Sequence, residues 1–298
     1  MTNKMTEKKY ELIRKSNSSD IEFKYPNLYR IKALKDIPRF NVKAGDIGGY
    51  VEHNYNLSQN NDCWIGNDAV VTGNAEVYGC AYVYDSAEIY GTANIYDGAR
   101  VHGHASIGEN ATIFENAEVS GSANVLGDAI ICGDAKVSNG RIEGNVCIQG
   151  NAVVSGLGYI TDYVQVYGDA QLINFGTISG HVRIYDHALI DGDHIYCHGY
   201  ARIHSDAKLY DEAYIIGESE IGECAVIKSY NDCMFLVLNM LGPNKMTIYK
   251  TRDGAMVVCN GHYAEFKNID NIISDHYKNI RDGIKTLVED QMLNGGDE

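Results

Sequence analysis

Residues 63–233 repeat a six-residue pattern, in which a small residue is followed two positions later by an aliphatic one. The pattern is plain in GNAEVYGCAYVYDSAEIYGTANIY, residues 73–96. Residues two apart on a strand point to the same side, so each pair predicts a very short strand with one buried face. The Gly-Asn, Asp-Ser and Gly-Thr pairs in between favour turns. A helix is excluded, because no six-residue pattern keeps one helical face apolar over this length.

The repeat comprises 29 hexads and slips twice. One hexad is one residue short at positions 138–140 and another is one residue long at positions 191–194, so the two slips cancel. The aliphatic position holds Ile, Val or Leu in every hexad except those with Cys197 and Cys233. Such regularity predicts a solenoid whose short strands stack on their neighbours.

The hexads resemble the hexapeptide repeats of left-handed parallel β-helices, whose best-known members are acyltransferases that use acyl-coenzyme A or acyl carrier protein. The resemblance implies triangular coils of three hexads, and therefore about nine coils here, with the aliphatic residue inside and the small residue at a crowded corner. Together with the stretches GDIGGYVE and NLS, the chain resembles YdcK-like hexapeptide proteins, many of them encoded by phages or prophages and often labelled transferases. A shared fold does not by itself establish that chemistry.

We predict a mainly β chain in three parts, because the open ends of a solenoid need covers. These parts are an N-terminal cap at residues 1–62, the β-helix at 63–233 and a C-terminal module at 234–298. In the last part, MFLVLNML and Pro243 are followed by TIYKT-RDG-AMVVC, whose two apolar runs around an Asp-Gly turn predict a hairpin. A helix is then predicted from apolar residues spaced three and four apart, namely Ile269, Ile272, Ile273, Tyr277, Ile280, Ile284, Leu287 and Val288.

Charge is concentrated in the middle of the chain. The net charge is −15, and residues 63–233 carry 7 basic and 23 acidic groups. Such a surface repels nucleic-acid phosphates and attracts basic partners, so we expect no direct nucleic-acid binding and consider a host protein with a basic surface as a partner. The alternative is that the charge only keeps an elongated solenoid soluble.

The sequence gives no sign of a membrane or a secretory route. No stretch approaches the roughly 18 uninterrupted apolar residues of a membrane helix, and the start MTNKMTEKKY is polar. The eight cysteines lack the paired short spacing of zinc or thioredoxin motifs. We therefore expect a cytoplasmic protein with reduced cysteines and no metal.

The tyrosines of the repeat follow the inward aliphatic residue and must point outward. Counting one coil at a time across both slips gives one aromatic-rich row, which we call the aromatic ladder: Tyr78, Tyr96, Phe114, Cys132, Gln149, Tyr167, Tyr185 and His204. The rings either stabilise adjacent coils by stacking or form a contact surface, where aromatic residues are favoured. We take Tyr78, Tyr96, Phe114, Tyr167, Tyr185 and His204 as candidate interface residues, and the family resemblance implies a homotrimer.

Catalytic signals are weaker, and we predict no catalytic residue. Related acyltransferases present a histidine near a loop extruded from a corner, whereas these hexads follow one another with irregularities of one residue. His194, in DGDHIYCHG, is the one histidine at an irregularity. A metal site is disfavoured, because His181, His187 and His194 fall on corners of successive faces, too far apart for zinc–nitrogen bonds of about 2.0–2.1 Å.

Two functional hypotheses follow. The first is a non-catalytic binding or scaffold protein without a cofactor, such as a phage-encoded inhibitor or sequestering protein. The second is an acyl- or acetyl-coenzyme A transferase whose active site lies between the subunits of a trimer. Titration with coenzyme A separates them.

Overall fold

The computed structural model describes residues 8–14, 27–238, 244–251, 254–259, 262–265, 267 and 278–289. The chain forms two compact units, residues 1–150 and 151–298. Both are parallel β-solenoids of very short strands, with one short α-helix among the described residues. The described residues include no helix that is both long and apolar enough to cross a membrane.

Unit 1 contains a three-stranded antiparallel cap followed by five coils of three strands each. The cap strands are Tyr10–Arg14 (β1), Tyr29–Ala33 (β2) and Ile47–Val51 (β3), with a 3-10 turn at Pro38–Phe40. The solenoid strands are Trp64–Ile65 (β4), Val70–Val71 (β5), Glu76–Val77 (β6), Tyr82–Val83 (β7), Glu88–Ile89 (β8), Asn94–Ile95 (β9), Arg100–Val101 (β10), Ser106–Ile107 (β11), Thr112–Ile113 (β12), Glu118–Ser120 (β13), Asn124–Val125 (β14), Ile130–Ile131 (β15), Lys136–Ser138 (β16), Arg141–Ile142 (β17) and Cys147–Ile148 (β18).

Every third strand of unit 1 pairs in parallel, which builds three sheets. Their orders are β3-β5-β8-β11-β14-β17, β4-β7-β10-β13-β16 and β6-β9-β12-β15-β18. Partners are 18 residues apart in most pairs, as in Thr112↔Ile130. After the first slip the spacing falls to 17, as in Asn124↔Arg141. The short hexad read from the sequence is therefore confirmed as a corner that is one residue shorter.

The N-terminal cap covers the first coil of unit 1 through β3, which pairs with β5. Gly48 explains why the GDIGGYVE stretch needs glycine, because an added Cβ would lie 2.4 Å from the carbonyl oxygen of Ile65. Tyr10 is buried, and its hydroxyl donates to the carbonyl oxygen of Leu57 at 2.5 Å. The fully buried Lys9 donates from Nζ to the carbonyl oxygen of Cys63 at 2.7 Å. These long-range bonds hold β1 on the first coil.

Unit 2 contains thirteen solenoid strands, an antiparallel sheet and the helix. The solenoid strands are Val153–Ser155 (β19), Tyr159–Ile160 (β20), Gln165–Val166 (β21), Gln171–Ile173 (β22), Thr177–Ile178 (β23), Arg183–Ile184 (β24), Leu189–Asp191 (β25), Tyr196–Cys197 (β26), Arg202–Ile203 (β27), Lys208–Tyr210 (β28), Tyr214–Ile215 (β29), Glu220–Ile221 (β30) and Val226–Ile227 (β31). A 3-10 turn at Tyr230–Asp232 leads into Cys233–Leu238 (β32), Asn244–Thr251 (β33), Gly254–Cys259 (β34), His262–Glu265 (β35) and the helix Lys278–Val288 (α1).

The three sheets of unit 2 follow the same rule. Their orders are β19-β22-β25-β28-β31, β20-β23-β26-β29 and β21-β24-β27-β30. Pairs that span the second slip are 19 residues apart, as in Thr177↔Tyr196. The long hexad is therefore confirmed as a corner with one extra residue.

The last coil of unit 2 is covered by the antiparallel sheet β32-β33-β34-β35. The backbone N–H of Glu220 donates to Thr247 Oγ1 at 2.9 Å, and that of Gly222 donates to the Tyr249 hydroxyl at 3.4 Å. The predicted hairpin corresponds to β33 and β34, and residues 252 and 253 of its turn lie outside the described residues. The predicted helix is present from Lys278, and its earlier part at 269–277 lies outside the described residues. The predicted boundaries after residues 62 and 233 stay predictions.

The core of both solenoids is the column of inward side chains. The aliphatic position of every solenoid strand is at most 1% exposed, and the alanines two residues earlier are fully buried. Hydrophobic burial and close packing at these corners explain why most of these positions hold alanine, although Val146, Val164, Val182, Ile195 and Ser219 are accommodated there as well.

Candidate functional site

The aromatic ladder exists in unit 1 as predicted. Tyr78 stacks on Tyr96 with ring centroids 4.8 Å apart, and Tyr96 stacks on Phe114 at 5.1 Å. Interplanar angles of 3° and 8° show that the rings lie almost parallel on one sheet face. Cys132 follows in register and is buried. All three rings are only partly exposed, so much of their apolar area already contacts neighbouring coils.

The ladder is also present in unit 2. Tyr167 stacks on Tyr185 at 4.9 Å, and Tyr185 stacks on His204 at 5.0 Å. His204 is buried, and its Nε2 lies 3.8 Å from a carboxylate oxygen of Glu220. Burial lowers the pKa of His204, and the nearby carboxylate of Glu220 opposes that shift. Burial likewise raises the pKa of Tyr167 and Tyr185, so all three rings are favoured in their neutral forms.

The histidines of unit 2 do not converge on one point. His181 stacks between two tyrosines, and His187 lies 3.6 Å from Asp169 and 3.7 Å from Asp206. His194 is exposed, and its Nδ1 lies 2.8 Å from Asp193. Within the described ranges, no group of three His, Cys, Asp or Glu side chains is arranged to hold a metal ion.

A second surface of unit 2 is more exposed than the aromatic ladder. We call it the tyrosine face, and it consists of the residues on either side of the buried position in β20, β23, β26 and β29: Tyr159, Thr161, Thr177, Ser179, Tyr196, His198, Tyr214 and Ile216. None of the eight is Asp, Glu, Lys or Arg. The corresponding positions of the other two sheets in this unit include Asp191, Lys208, Arg183 and Arg202.

The tyrosine face is held in shape by stacking and hydrogen bonding. Tyr196 stacks on Tyr214 with centroids 5.1 Å apart, and Ser179 Oγ lies 2.9 Å from Nδ1 of His198. Tyr214 is 45% exposed and Ile216 is 44% exposed. The face therefore presents apolar area to solvent on a rigid sheet.

One edge of the tyrosine face is an aromatic corner formed by Tyr163, His181 and Tyr200. Tyr163 stacks on His181 and His181 stacks on Tyr200, both at 4.7 Å and with angles of 2° and 3°. Tyr163 is 53% exposed and Tyr200 is 59% exposed. The corner backbone is fixed by Asp162, whose carboxylate accepts from the N–H of Gly180 at 2.8 Å.

The other edge is a shallow groove of about 830 Å³ at the corner that carries the extra residue. Asp191, Asp193 and Asp211 line it, and we call these three residues the acidic corner. Phe175 is buried at its base, whereas Leu157 is 88% exposed. In the described part of the chain, no lysine or arginine forms an ion pair with the acidic corner, and Asp193 pairs with His194.

No protein-family model matches the chain, and no curated protein matches its sequence.

Proposed function

We propose that the chain is a non-catalytic binding or scaffold protein that acts through an acidic, aromatic-rich β-solenoid. The observation that carries the proposal is the combination of ordered rows of partly exposed aromatic rings with a repeat region of 7 basic and 23 acidic groups. Aromatic residues are enriched at protein interfaces, and an acidic surface steers basic partners toward it. A host protein with a basic surface is therefore the partner class that we propose.

The resemblance to YdcK-like hexapeptide proteins adds a biological setting to this proposal. It supports a phage-type protein in the cytoplasm that inhibits or sequesters a host protein, without a cofactor. An acidic solenoid imitates the charge of nucleic acid toward a basic surface. Binding of this kind should weaken steeply as salt increases, which a titration at several salt concentrations measures.

The proposal includes self-association through the aromatic ladder, with a trimer favoured by the family resemblance. Tyr96→Ser and Tyr167→Ser should lower the mass measured by sedimentation, because each removes one stacked ring from the ladder. Tyr55→Ser is the control, since Tyr55 is an exposed tyrosine outside the ladder. An unchanged mass in both ladder variants would refute this part of the proposal.

A coenzyme A-dependent acyltransferase is the second candidate. The specific observation in its favour is the irregular corner, where the exposed His194 pairs with Asp193 beside the groove. Calorimetric titration with coenzyme A and acetyl-coenzyme A decides between the two functions. The absence of heat at millimolar ligand supports the binding protein, and saturable binding that His194→Ala abolishes supports the transferase.

A further inference from the structure

We propose that the tyrosine face and its two edges form a docking surface for a protein segment in which leucine-like side chains alternate with lysine or arginine. This inference rests on the proposed binding function and names the surface and the chemistry of the partner. Five of the nine exposed large apolar side chains in the described chain lie on or beside this one face: Leu157, Tyr163, Tyr200, Tyr214 and Ile216.

The composition of the surface matches that of a protein interface. Interface centres are depleted in charge and enriched in tyrosine, whereas their rims are polar. The tyrosine face has no charged side chain among its eight positions, and the acidic corner forms a rim on one side. Tyrosine supplies large contact area at low entropic cost, because stacking already fixes the rings of Tyr163 and Tyr200.

Charge complementarity identifies the partner's polar groups. Asp191, Asp193 and Asp211 face the groove, and His194 is the one described cation-forming side chain that pairs with any of them. A lysine or arginine of the partner would complete ion pairs there while an apolar side chain covers Leu157. A second copy of this chain fits less well, because its own tyrosine face offers no lysine or arginine to the acidic corner.

The size of the surface sets the expected affinity. Four strands at about 4.8 Å spacing and a face about 20 Å wide give an area of about 400 Å². Stable complexes bury about 800 Å² per partner, so the contact belongs to the weak, transient class. We therefore expect a dissociation constant in the micromolar range or above for a short segment, and the assay must detect weak binding.

Fluorescence polarisation with a defined probe tests the proposal. The probe is the fluorescein-labelled peptide Gly-Arg-Leu-Arg-Leu-Arg-Gly, titrated with the full chain at about 50 mM salt, where electrostatic attraction is little screened. Tyr163→Ser combined with Tyr200→Ser should weaken binding at least fivefold, and Asp191→Asn combined with Asp211→Asn should do the same. Leu157→Ser should also weaken binding and should leave the fold intact, since Leu157 is 88% exposed.

The matched control removes the same charge from a different corner of the same unit. Asp169→Asn combined with Asp206→Asn alters two exposed carboxylates around His187. It should change the affinity by less than twofold. A probe with serine in place of leucine should bind at least fivefold more weakly to the wild-type chain.

Three outcomes would overturn the docking surface. Equal weakening by the control and by the acidic-corner variant would mean diffuse electrostatic attraction, which leaves the binding function standing. A lower mass in solution for the variant with both Tyr163→Ser and Tyr200→Ser would mean that the face is instead a contact between copies of this chain. If the wild-type chain does not bind the probe, the proposed docking surface is refuted. The proposed binding function is tested separately by the coenzyme A titration.

Discussion

Ile113 offers a quantitative test of the inward column. Its side chain is fully buried, and in-register pairing places it between Ile95 and Ile131 of the adjacent coils. Ile113→Ala deletes three buried carbons, which costs about 2.4 kcal/mol at about 0.8 kcal/mol for each. The stacked strands cannot collapse into the resulting space, and the cavity adds about 1 kcal/mol, within the observed total of about 2–5 kcal/mol. We expect the free energy of unfolding to fall by about 3–4 kcal/mol.

Urea unfolding followed by circular dichroism measures this loss. Ile113→Val should cost about 1 kcal/mol, because it removes a single carbon. Thr112→Ala changes the neighbouring, half-buried position and should cost less than about 1 kcal/mol. The urea concentration at the midpoint of unfolding should shift, while the slope of the free energy of unfolding against urea concentration stays constant. Equal losses for Ile113→Ala and Thr112→Ala would refute the assignment of an inward and an outward position.

Two further predictions concern a corner and a buried ring. Gly91 has a φ of +72°, and an added Cβ would lie 2.7 Å from the backbone nitrogen of Glu109, so Gly91→Ala should lower the free energy of unfolding by more than about 1 kcal/mol. Gly283→Ala should instead raise the free energy of unfolding by up to about 1 kcal/mol, because Gly283 lies on the helix with nothing within 4 Å of an added Cβ. If the urea midpoints of the Gly91 and Gly283 variants shift in the same direction, this prediction is contradicted. Because burial lowers the pKa of His204 from 6.5, the unfolded chain takes up the proton first, and stability should fall as the pH drops below 6.5. His204→Asn should flatten that part of the stability profile, and an unchanged profile would count against it.

The register of the coils could be predicted from the sequence because it depends on local spacing. Each hexad adds one strand and one corner, so a single missing or extra residue changes the pairing interval without disturbing the inward column. The pairs Asn124↔Arg141 and Thr177↔Tyr196 show both changes, at 17 and 19 residues. The aromatic ladder followed from the same counting.

The tyrosines of the tyrosine face were missed because only the residue after each inward position was counted from the sequence. Tyr196 and Tyr214 precede that position, and Tyr200 lies at a corner, so none belongs to the counted row. Exposure also depends on distant residues. Phe40 of the cap stacks on Tyr82 at 4.4 Å, a contact that six-residue spacing cannot reveal.

The buried contact of Lys9 with Cys63 could not be predicted from local sequence patterns either. Lys9 is charged and lies close to the start of the chain, which favours an exposed position on statistics alone. Its Nζ is nevertheless buried 2.9 Å from the sulfur of Cys63, 54 residues further along. Burial lowers the pKa of Lys9 and raises that of Cys63. Only the folding of β1 across the first coil brings the two groups together.

A disulfide test measures most directly whether successive coils align their outward rows, on which both the ladder and the tyrosine face depend. Phe114 and Cys132 directly follow Ile113 and Ile131, which pair in register on adjacent strands, so their Cα atoms should be about 4.8 Å apart, within the range of about 4.4–6.8 Å that disulfides require. Burial raises the pKa of Cys132 to about 11, so oxidation should proceed slowly under mildly alkaline conditions. Phe114→Cys should form an intramolecular disulfide with Cys132 that peptide mass spectrometry detects, and Tyr96→Cys, two strands away, should not. A free Cys132 in the first variant, or a bridge in the second, would contradict the stacked-coil account.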